Sequence, residues 1–430
     1  MFRLVAIRAC IHALPTRVIG STAGAIRRQY TSDTEDIWIK RRPLPTTTSV
    51  EYTIPTDPYL LAKKFQQVAH DGKLDDAVAI VMQTKTRNQS AVVWNMVIGE
   101  YAKSGRLSRA LRGFTEMRKR GFKPTQSTFT ALLKACAMSD SAKSAQMAEY
   151  LFGSIKDHGI EPSILNFNAL LSVYQHKHDL KAIMEWFNDL PGEGPHAPIL
   201  ETYTIVLTSF RREIQRQLKE LEEVKATGKS ENKPSFGDSR RIALIKENIH
   251  SMFGSMLELW KTFIEDAQHR LQSQKTQQLH DTKPLYIDAH LMKVILKTCH
   301  AVYGENRALG RQGLKIAEEV YGFDKTLGST TKRQSREDDP VVPLAACFLQ
   351  GGSSSGAVAD FSVVDSNVID LVLGLCSRDT QYTKAIRFWR SLETHFITQL
   401  DPLKKEFEPR IKEFYARANI PRSDDSVKTA

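Results

Sequence analysis

Apolar side chains recur along this chain at the three- and four-residue spacing of helices that bury one face. In residues 91–125 the pattern occurs twice, with a break at Gly105. The first apolar face consists of Trp94, Val97, Ile98 and Tyr101. The second consists of Leu107, Ala110, Leu111, Phe114 and Met117. Gly121 and Pro124 then supply the stop signal that follows many helices. The segment is predicted to form a helical hairpin that must pack against neighbours to bury both faces.

The hairpin pattern repeats along the chain. A second copy begins at 128–137 and closes with Gly159 and Pro162. Further copies cover 59–83, 166–190 and the start of a repeat at 202–210. Equivalent polar residues at the helix starts are Asn95, Thr130, Asn168 and Thr204, separated by 35, 38 and 36 residues. A period of this length predicts an all-α solenoid.

Two degenerate copies follow near the C-terminus. Segments 292–300 and 369–377 align with 128–137 and place Cys299 and Cys376 at the position of Cys136. A cysteine that recurs at one inward helical position is expected to be a small buried hydrophobe, because its role there is packing between helices. The five cysteines form no CxxC pair, which argues against a zinc knuckle or a redox motif.

The N-terminus has a separate character. Residues 1–30 contain five arginines and no acidic residue, with apolar residues between the arginines. This composition is typical of a mitochondrial transit peptide, with a protease site predicted after Tyr30. The alternative is a basic arm that stays on the protein. Removing residues 1–30 lowers the formal net charge from +11 to +6, because five arginines leave. A modest positive charge permits contact with a polyanion without proving it.

Composition and polar segments divide the rest of the chain. At 41% hydrophobic and 25% charged residues, the chain has the composition of a folded protein. It has no uninterrupted apolar stretch long enough for a membrane span, so none is predicted. The predicted boundaries are 1–30 transit peptide, 31–57 extension, 58–210 repeat array, 211–240 charged insertion, 241–324 degenerate repeats, 325–362 linker, 363–420 degenerate repeat and 421–430 tail. Segment 255–263 resembles a second repeat helix, so the repeat begun at Thr204 is expected to be split by the insertion.

Residues 94–125, WNMVIGEYAKSGRLSRALRGFTEMRKRGFKPT, closely resemble a pentatricopeptide repeat. Residues 166–190 are similar, with His178 in place of the usual turn glycine. The resemblance is strong over 58–210 and weak over 240–395. It implies a right-handed superhelix of helical hairpins, whose leading helices line a concave groove for single-stranded RNA.

The resemblance also implies which residues meet the RNA. In this family each repeat reads one base with its fifth and last residues, and the second residues of neighbouring repeats flank the base. The implied pairs are Asn95 with Thr125, Thr130 with Ser163 and Asn168 with Ile199, with Thr204 beginning a fourth. The implied flanking residues are Val92, Ser127 and Leu165.

The departures from the family pattern predict weak sequence selectivity. None of the last residues is the Asp or Asn that gives clean discrimination, and the outer repeats have poor readers at the fifth position: Ala62, Lys293 and Asp370. The polar residues at helix starts also have a second interpretation as helix caps.

A basic cluster is a further candidate, for phosphate contact or simply as a solvated face: Arg118, Lys119, Arg120 and Lys123. His176 and His178 do not share a helix face, so no metal site is predicted there.

No catalytic framework accompanies the repeats. A zinc deaminase needs a CxxC that the chain lacks, and the acidic residues of the C-terminal part are scattered, namely Asp338, Asp339, Asp360, Asp365 and Asp370. No enzyme, cofactor, metal or small-molecule substrate is therefore expected.

Three hypotheses stay open. The first is a matrix protein that binds mitochondrial mRNA or rRNA in processing, stability or translation. The second is a structural component or assembly factor of the small subunit of the mitochondrial ribosome, and the third is a nuclease with an unrecognised site.

Overall fold

The computed structural model describes residues 43–230, 236–275, 283–323 and 363–420. The predicted transit peptide, the whole of the predicted linker and the tail lie outside these ranges. Within them the chain forms α-helices and two short 3-10 helices, with no β-strand. The chain divides into two compact units between Val206 and Leu207. We call their described parts the N-terminal unit (43–206) and the C-terminal unit (207–420).

The N-terminal unit contains four helical hairpins. Their helices are α1 (Pro58–His70), α2 (Leu74–Gln83), α3 (Ala91–Lys103), α4 (Leu107–Lys119), α5 (Gln126–Ala137), α6 (Ser144–Ser154), α7 (Ile164–His176) and α8 (Leu180–Asn188). The leading helices α1, α3, α5 and α7 pack side by side in chain order. Both apolar faces predicted for 91–125 are buried. The predicted all-α stack of hairpin repeats is confirmed, because each hairpin covers the apolar face of the next.

The turns inside the hairpins use left-handed backbone. Gly72 and Gly105 follow leading helices with φ of 78° and 67°. A Cβ on Gly105 would lie 3.1 Å from the backbone oxygen of Met138, so the glycine also allows neighbouring turns to approach closely. His178 occupies the equivalent turn position between α7 and α8, with φ of 56°. A non-glycine residue there is strained, since its Cβ crowds the backbone.

The segment that precedes α1 is attached to α2. Leu44 is buried. The backbone N–H of Ser49 donates to Oδ1 of Asp76 at 2.8 Å, and the Ser49 hydroxyl donates to Oδ2. These bonds hold the pKa of the Asp76 carboxyl below its usual value, because they favour the ionised form.

The C-terminal unit repeats the hairpin scheme with larger variation. Its helices are α9 (Leu200–Ser230), which begins in the N-terminal unit, α10 (Phe236–Lys275), α11 (Ala289–Val302), α12 (Arg307–Gly310), α13 (Gln312–Tyr321), α14 (Ser366–Arg378), α15 (Tyr382–His395), α16 (Ile397–Leu400) and α17 (Lys404–Ala418). Here α11 and α14 are the leading helices and pack together, while α17 covers α15.

The charged segment 211–240 does not begin at a structural boundary. Helix α9 runs through residue 211 without a break, and α10 begins at Phe236. Buried apolar residues continue along both helices, namely Ile214, Leu221, Val224, Ile245, Ile249 and Phe253. The sparse apolar positions in this polar sequence are therefore part of the buried core.

The recurrent cysteines behave as predicted. Cys136, Cys299 and Cys376 are all free and buried. Burial raises the pKa of each of these thiols to about 12. A Cβ on Gly313 would lie 2.8 Å from the Cβ of Cys299, so the cysteine marks a close approach of α11 and α13. The packing interpretation of these residues is confirmed.

Candidate nucleic-acid interface

The fifth residues of successive repeats lie near the N-terminal ends of neighbouring leading helices. Asn95 is on α3, Thr130 on α5 and Asn168 on α7. Because these helices pack side by side, the three side chains form one row. Their exposure differs, since Asn95 and Thr130 are half-buried and Asn168 is only 2% exposed.

The second residues of the repeats lie on the open side of the same row. Val92 is 58% exposed and Leu165 is 47% exposed, and Ser127 between them is exposed as well. Val92 and Leu165 lie at the same repeat position and leave large apolar side chains in contact with water, so this exposure does not stabilise the fold. Their position is suited to contact with a flat apolar ligand surface.

The sequence-implied pairs are joined in different ways. The Asn95 amide Nδ2 donates directly to the Thr125 hydroxyl at 3.1 Å. Thr130 and Ser163 are linked through one intermediate side chain, and so are Asn168 and Ile199. The intermediates are the third residues of the following repeats, Asn166 and Thr202.

These third residues were missed by the sequence analysis. Each accepts a hydrogen bond from the backbone N–H of the preceding last residue: Thr125 to Thr128 at 2.9 Å, Ser163 to Asn166 at 3.0 Å and Ile199 to Thr202 at 3.1 Å. Each donates to the fifth residue of the preceding repeat: Thr128 to Asn95 at 2.6 Å, Asn166 to Thr130 at 2.9 Å and Thr202 to Asn168 at 2.7 Å. All three are fully buried. We call the residues Asn95, Thr128, Thr130, Asn166, Asn168 and Thr202 the polar seam.

A signal for the polar seam is present in the sequence. The triplets TFT, NFN and TYT at 128–130, 166–168 and 202–204 place two polar residues around an aromatic one. On a helix the first polar residue faces the preceding repeat and the second faces the following repeat. The fifth residues do not cap their own helices, because the caps of α3 and α5 are Ser90 and Thr125, and Ser163 occupies the cap position of α7.

The two accessible fifth residues keep hydrogen-bonding capacity. The Asn95 amide has two donor hydrogens, and one of them is used in the bond to the Thr125 hydroxyl. The Thr130 hydroxyl donates to the Gln126 carbonyl at 3.0 Å and accepts from Asn166, which leaves one acceptor position. Both side chains can therefore meet a base edge while they stay in the seam.

The other candidate base-reading residues are less available for contact with a base. Asn168 donates its amide to Oε2 of Glu201 at 3.2 Å. The Thr204 hydroxyl donates to the Leu200 carbonyl of its own helix at 2.8 Å, and Ile199 is half-buried.

The basic cluster at the end of α4 has mixed roles. Arg120 is half-buried, donates to the Met82 carbonyl at 3.3 Å and lies 5.5 Å from the Trp94 ring. It therefore holds two hairpins together. Arg118 lies over Phe114, Lys119 pairs with Glu116, and Lys123 is exposed. The three exposed cations are free to face solvent or a polyanion.

In the C-terminal unit the fifth residues are held by ion pairs. Nζ of Lys293 lies 3.9 Å from Oδ2 of Asp365, which caps α14. Asp370 pairs with Nη1 of Arg410 at 2.6 Å. In the outermost N-terminal repeat the equivalent residue is Ala62, which has no polar atom on its side chain.

The described ranges hold no group of three or more His, Cys, Asp or Glu side chains placed to bind a metal ion. None of their helices combines the length and the apolar character that a bilayer crossing requires.

Comparison with known proteins identifies the repeats. A model of the PPR repeat family matches residues 89–138, and a model described as pentatricopeptide repeat domain matches residues 114–177. Residues 89–177 therefore contain pentatricopeptide repeats, as the resemblance predicted.

Relatives of known name match part of the chain. Pentatricopeptide repeat-containing protein 1, mitochondrial, of Rattus norvegicus is 28% identical over 171 residues, which cover 37% of this chain and 25% of the relative. A mitochondrial pentatricopeptide repeat-containing protein of Arabidopsis thaliana is 29% identical over 141 residues, covering 32% of this chain and 20% of the relative. The matched part thus spans a quarter or less of either relative.

Solved structures give a looser likeness. The crystal structure of PPR10 from maize aligns over 90% of this chain and 48% of its own, at 14% identity and a TM-score of 0.33. A complex of PPR10 with an 18-nucleotide psaJ RNA element aligns at 13% identity and a TM-score of 0.31, over 90% of this chain and 63% of its own.

Proposed function

We propose that this chain binds single-stranded RNA along the row of leading helices in its N-terminal unit, and that it catalyses no reaction. The observation that carries the proposal is the recurrence of exposed second residues beside accessible polar fifth residues. Val92 and Leu165 present apolar surface to water, while Asn95 and Thr130 keep unused hydrogen-bonding capacity. Apolar contact with a base face and polar contact with its edge are the two interactions that unpaired RNA offers.

The proposed reading unit is one repeat and its successor. Asn95 acts with Thr125, and Thr130 acts with Ser163 through Asn166. The exposed cations Arg118, Lys119 and Lys123 are proposed to contact phosphates. The short side chains of the seam fix the positions of the reading groups before RNA arrives, which lowers the entropy lost on binding.

The proposed location is the mitochondrial matrix, and the proposed role is in the processing, stability or translation of organellar RNA. The arginine-rich, acid-free residues 1–30 and the mitochondrial names of the two relatives support the location. Fusing residues 1–30 to a fluorescent protein tests it. Import into the matrix is expected, and a cytosolic signal would contradict the proposal.

The binding test compares the full chain with matched variants. Asn95→Ala should weaken binding to labelled single-stranded RNA by about 1–2 kcal/mol, because one base contact is lost. Asn188→Ala removes the same amide at the end of α8, outside the row, and should leave affinity unchanged. Binding that prefers duplex RNA, or equal affinities for both variants, would contradict the proposal.

A second candidate function has its own supporting observation. Every fifth residue of the seam is already hydrogen-bonded within the protein. The seam therefore holds repeats together without any ligand, which also suits a scaffold in the small subunit of the mitochondrial ribosome. Sedimentation of mitochondrial extract separates the two. Co-migration with the small subunit at high salt favours the scaffold, and a light, RNase-sensitive complex favours the RNA-binding factor.

A further inference from the structure

Glu201 occupies a position that is uncharged in the preceding repeats. It is the second residue of the repeat that begins in α9, where the three preceding repeats have Val92, Ser127 and Leu165. Its side chain is exposed, and its Oε2 accepts a hydrogen bond from the Asn168 amide at 3.2 Å.

The contact with Glu201 goes together with a lower solvent exposure of the fifth residue, Asn168. Asn95 and Asn168 are the same residue type at the same repeat position, and both accept a hydrogen bond from the third residue of the next repeat. Asn95 is followed by Ser127 and stays half-buried, whereas Asn168 is followed by Glu201 and is 2% exposed. Of the two asparagines, the one that is bonded to an acidic side chain is therefore the one that is buried.

The chemistry of this contact opposes RNA in two ways. The carboxylate takes one of the two donor hydrogens of the Asn168 amide, and because this amide is also buried, little of it is left for a base edge. The carboxylate also places a negative charge beside the path of a phosphate backbone, where like charges repel. Neither effect arises at Ser127 or Leu165, because their side chains are neutral.

We propose that Glu201 closes the third base position, so that base reading extends over Asn95 and Thr130 and stops before Asn168. This inference rests on the proposed function, since it sets the length of the same RNA site. It assigns Glu201 as a residue that limits the footprint and thereby the specificity of the chain.

Two substitutions at Glu201 separate the charge from the covering contact. Glu201→Leu restores a neutral apolar side chain like that of Leu165 and uncovers the Asn168 amide. Glu201→Gln removes the charge but keeps an oxygen that can accept from Asn168. With a labelled single-stranded RNA library and the full chain, Glu201→Leu should tighten binding about tenfold and add base preference at one further nucleotide. Glu201→Gln should give a smaller gain and no added preference.

A charge control and a double variant complete the design. Glu193→Gln removes one negative charge from the exposed loop between α8 and α9 and should leave affinity unchanged. Adding Asn168→Ala to Glu201→Leu should abolish the added base preference, because the uncovered amide supplies it. If the double variant is unstable in a thermal melt, the contrast between Glu201→Leu and Glu201→Gln still decides the question, as Glu201 is exposed.

The outcomes distinguish this inference from the proposed function. If neither the wild-type chain nor Glu201→Leu binds RNA, both fail. If the wild type binds and Asn95→Ala weakens binding, the proposed function stands. In that case an unchanged or weaker affinity of Glu201→Leu, with an unchanged footprint, overturns the role of Glu201 alone.

Discussion

The two units join their repeats with different chemistry. In the N-terminal unit the leading helices are linked by neutral amides and hydroxyls, as in the bond from Thr128 to Asn95 at 2.6 Å. In the C-terminal unit the corresponding fifth residues Lys293 and Asp370 are in ion pairs. The seam residues of the N-terminal unit are all neutral and add no charge of their own to the row. The charged fifth residues of the C-terminal unit are committed to their partners, so the same repeat position can hold either a neutral hydrogen bond or an ion pair.

The turns of the hairpins show the same contrast. In the N-terminal unit Nζ of Lys177 donates to the carbonyls of Ser139 and Ser141 at 3.1 and 2.9 Å. In the C-terminal unit the buried Asp379 accepts from Nε of Arg311 at 2.8 Å and from the Tyr303 hydroxyl at 3.0 Å. A buried carboxylate depends on its donors, because an unpaired buried charge is costly.

The largest predicted effect is in the C-terminal unit. Arg311→Met should destabilise it by about 2–3 kcal/mol, because the Asp379 carboxylate keeps its burial and loses its cation. Hydrogen exchange of α11 and α14 peptides, with thermal unfolding, measures the loss. Arg387→Met, which removes an exposed arginine of α15, should have little effect. Equal losses in the two variants would show that the ion pair of Arg311 with the buried Asp379 adds no stability.

The next effect tests the polar seam. Thr128→Val keeps the shape of the side chain but removes the hydroxyl that joins Thr125 and Asn95. It should cost about 1–2 kcal/mol of the free energy of unfolding, with little dependence on salt because the groups are neutral. Thr115→Val is the matched control, since that hydroxyl bonds only to the Leu111 carbonyl of its own helix. A salt-sensitive loss at Thr128 would break the contrast between the units.

A smaller effect concerns the left-handed turn positions. Thr380 and His178 have φ of 55° and 56°, where Gly72 and Gly105 occupy the equivalent turns. Thr380→Gly should stabilise the C-terminal unit by about 1 kcal/mol, and His178→Gly the N-terminal unit by about 0.5 kcal/mol, because a β-branched residue is strained more. Thermal unfolding measures both. Gly72→Ala should be destabilising, and a neutral result there would remove the argument from strain.

The smallest predicted effect is that the buried cysteines of the two units react equally slowly. Burial raises the pKa of the Cys136, Cys299 and Cys376 thiols to about 12. At about pH 8 roughly one thiol in ten thousand is ionised, so alkylation of the folded protein should be very slow at all three. Peptide mass spectrometry after iodoacetamide treatment measures it, and denaturant should make all three react. Fast labelling of one cysteine in the folded chain would show that its unit opens locally.

Part of the fold and of the candidate site could be predicted from local pattern. The hairpin of residues 91–125 and the buried cysteines follow from helical periodicity, which is a property of sequence neighbours. The seam residues Thr128, Asn166 and Thr202 were missed because their partners lie more than thirty residues away. The packing of the polar segment around residue 211 could not be predicted from local pattern, because the apolar residues of α9 and α10 that are buried in the structure are sparse in the sequence.

The sequence alone determined the helices and the repeat period, because the spacing of apolar residues, glycines and prolines acts within a single hairpin. Tertiary structure decided which fifth residues stay accessible. Asn95 and Asn168 are chemically identical, and Glu201, in the following repeat, covers only the second of them. Accessibility depends on which side chains of the next repeat arrive beside a residue, and packing of the folded chain brings them there.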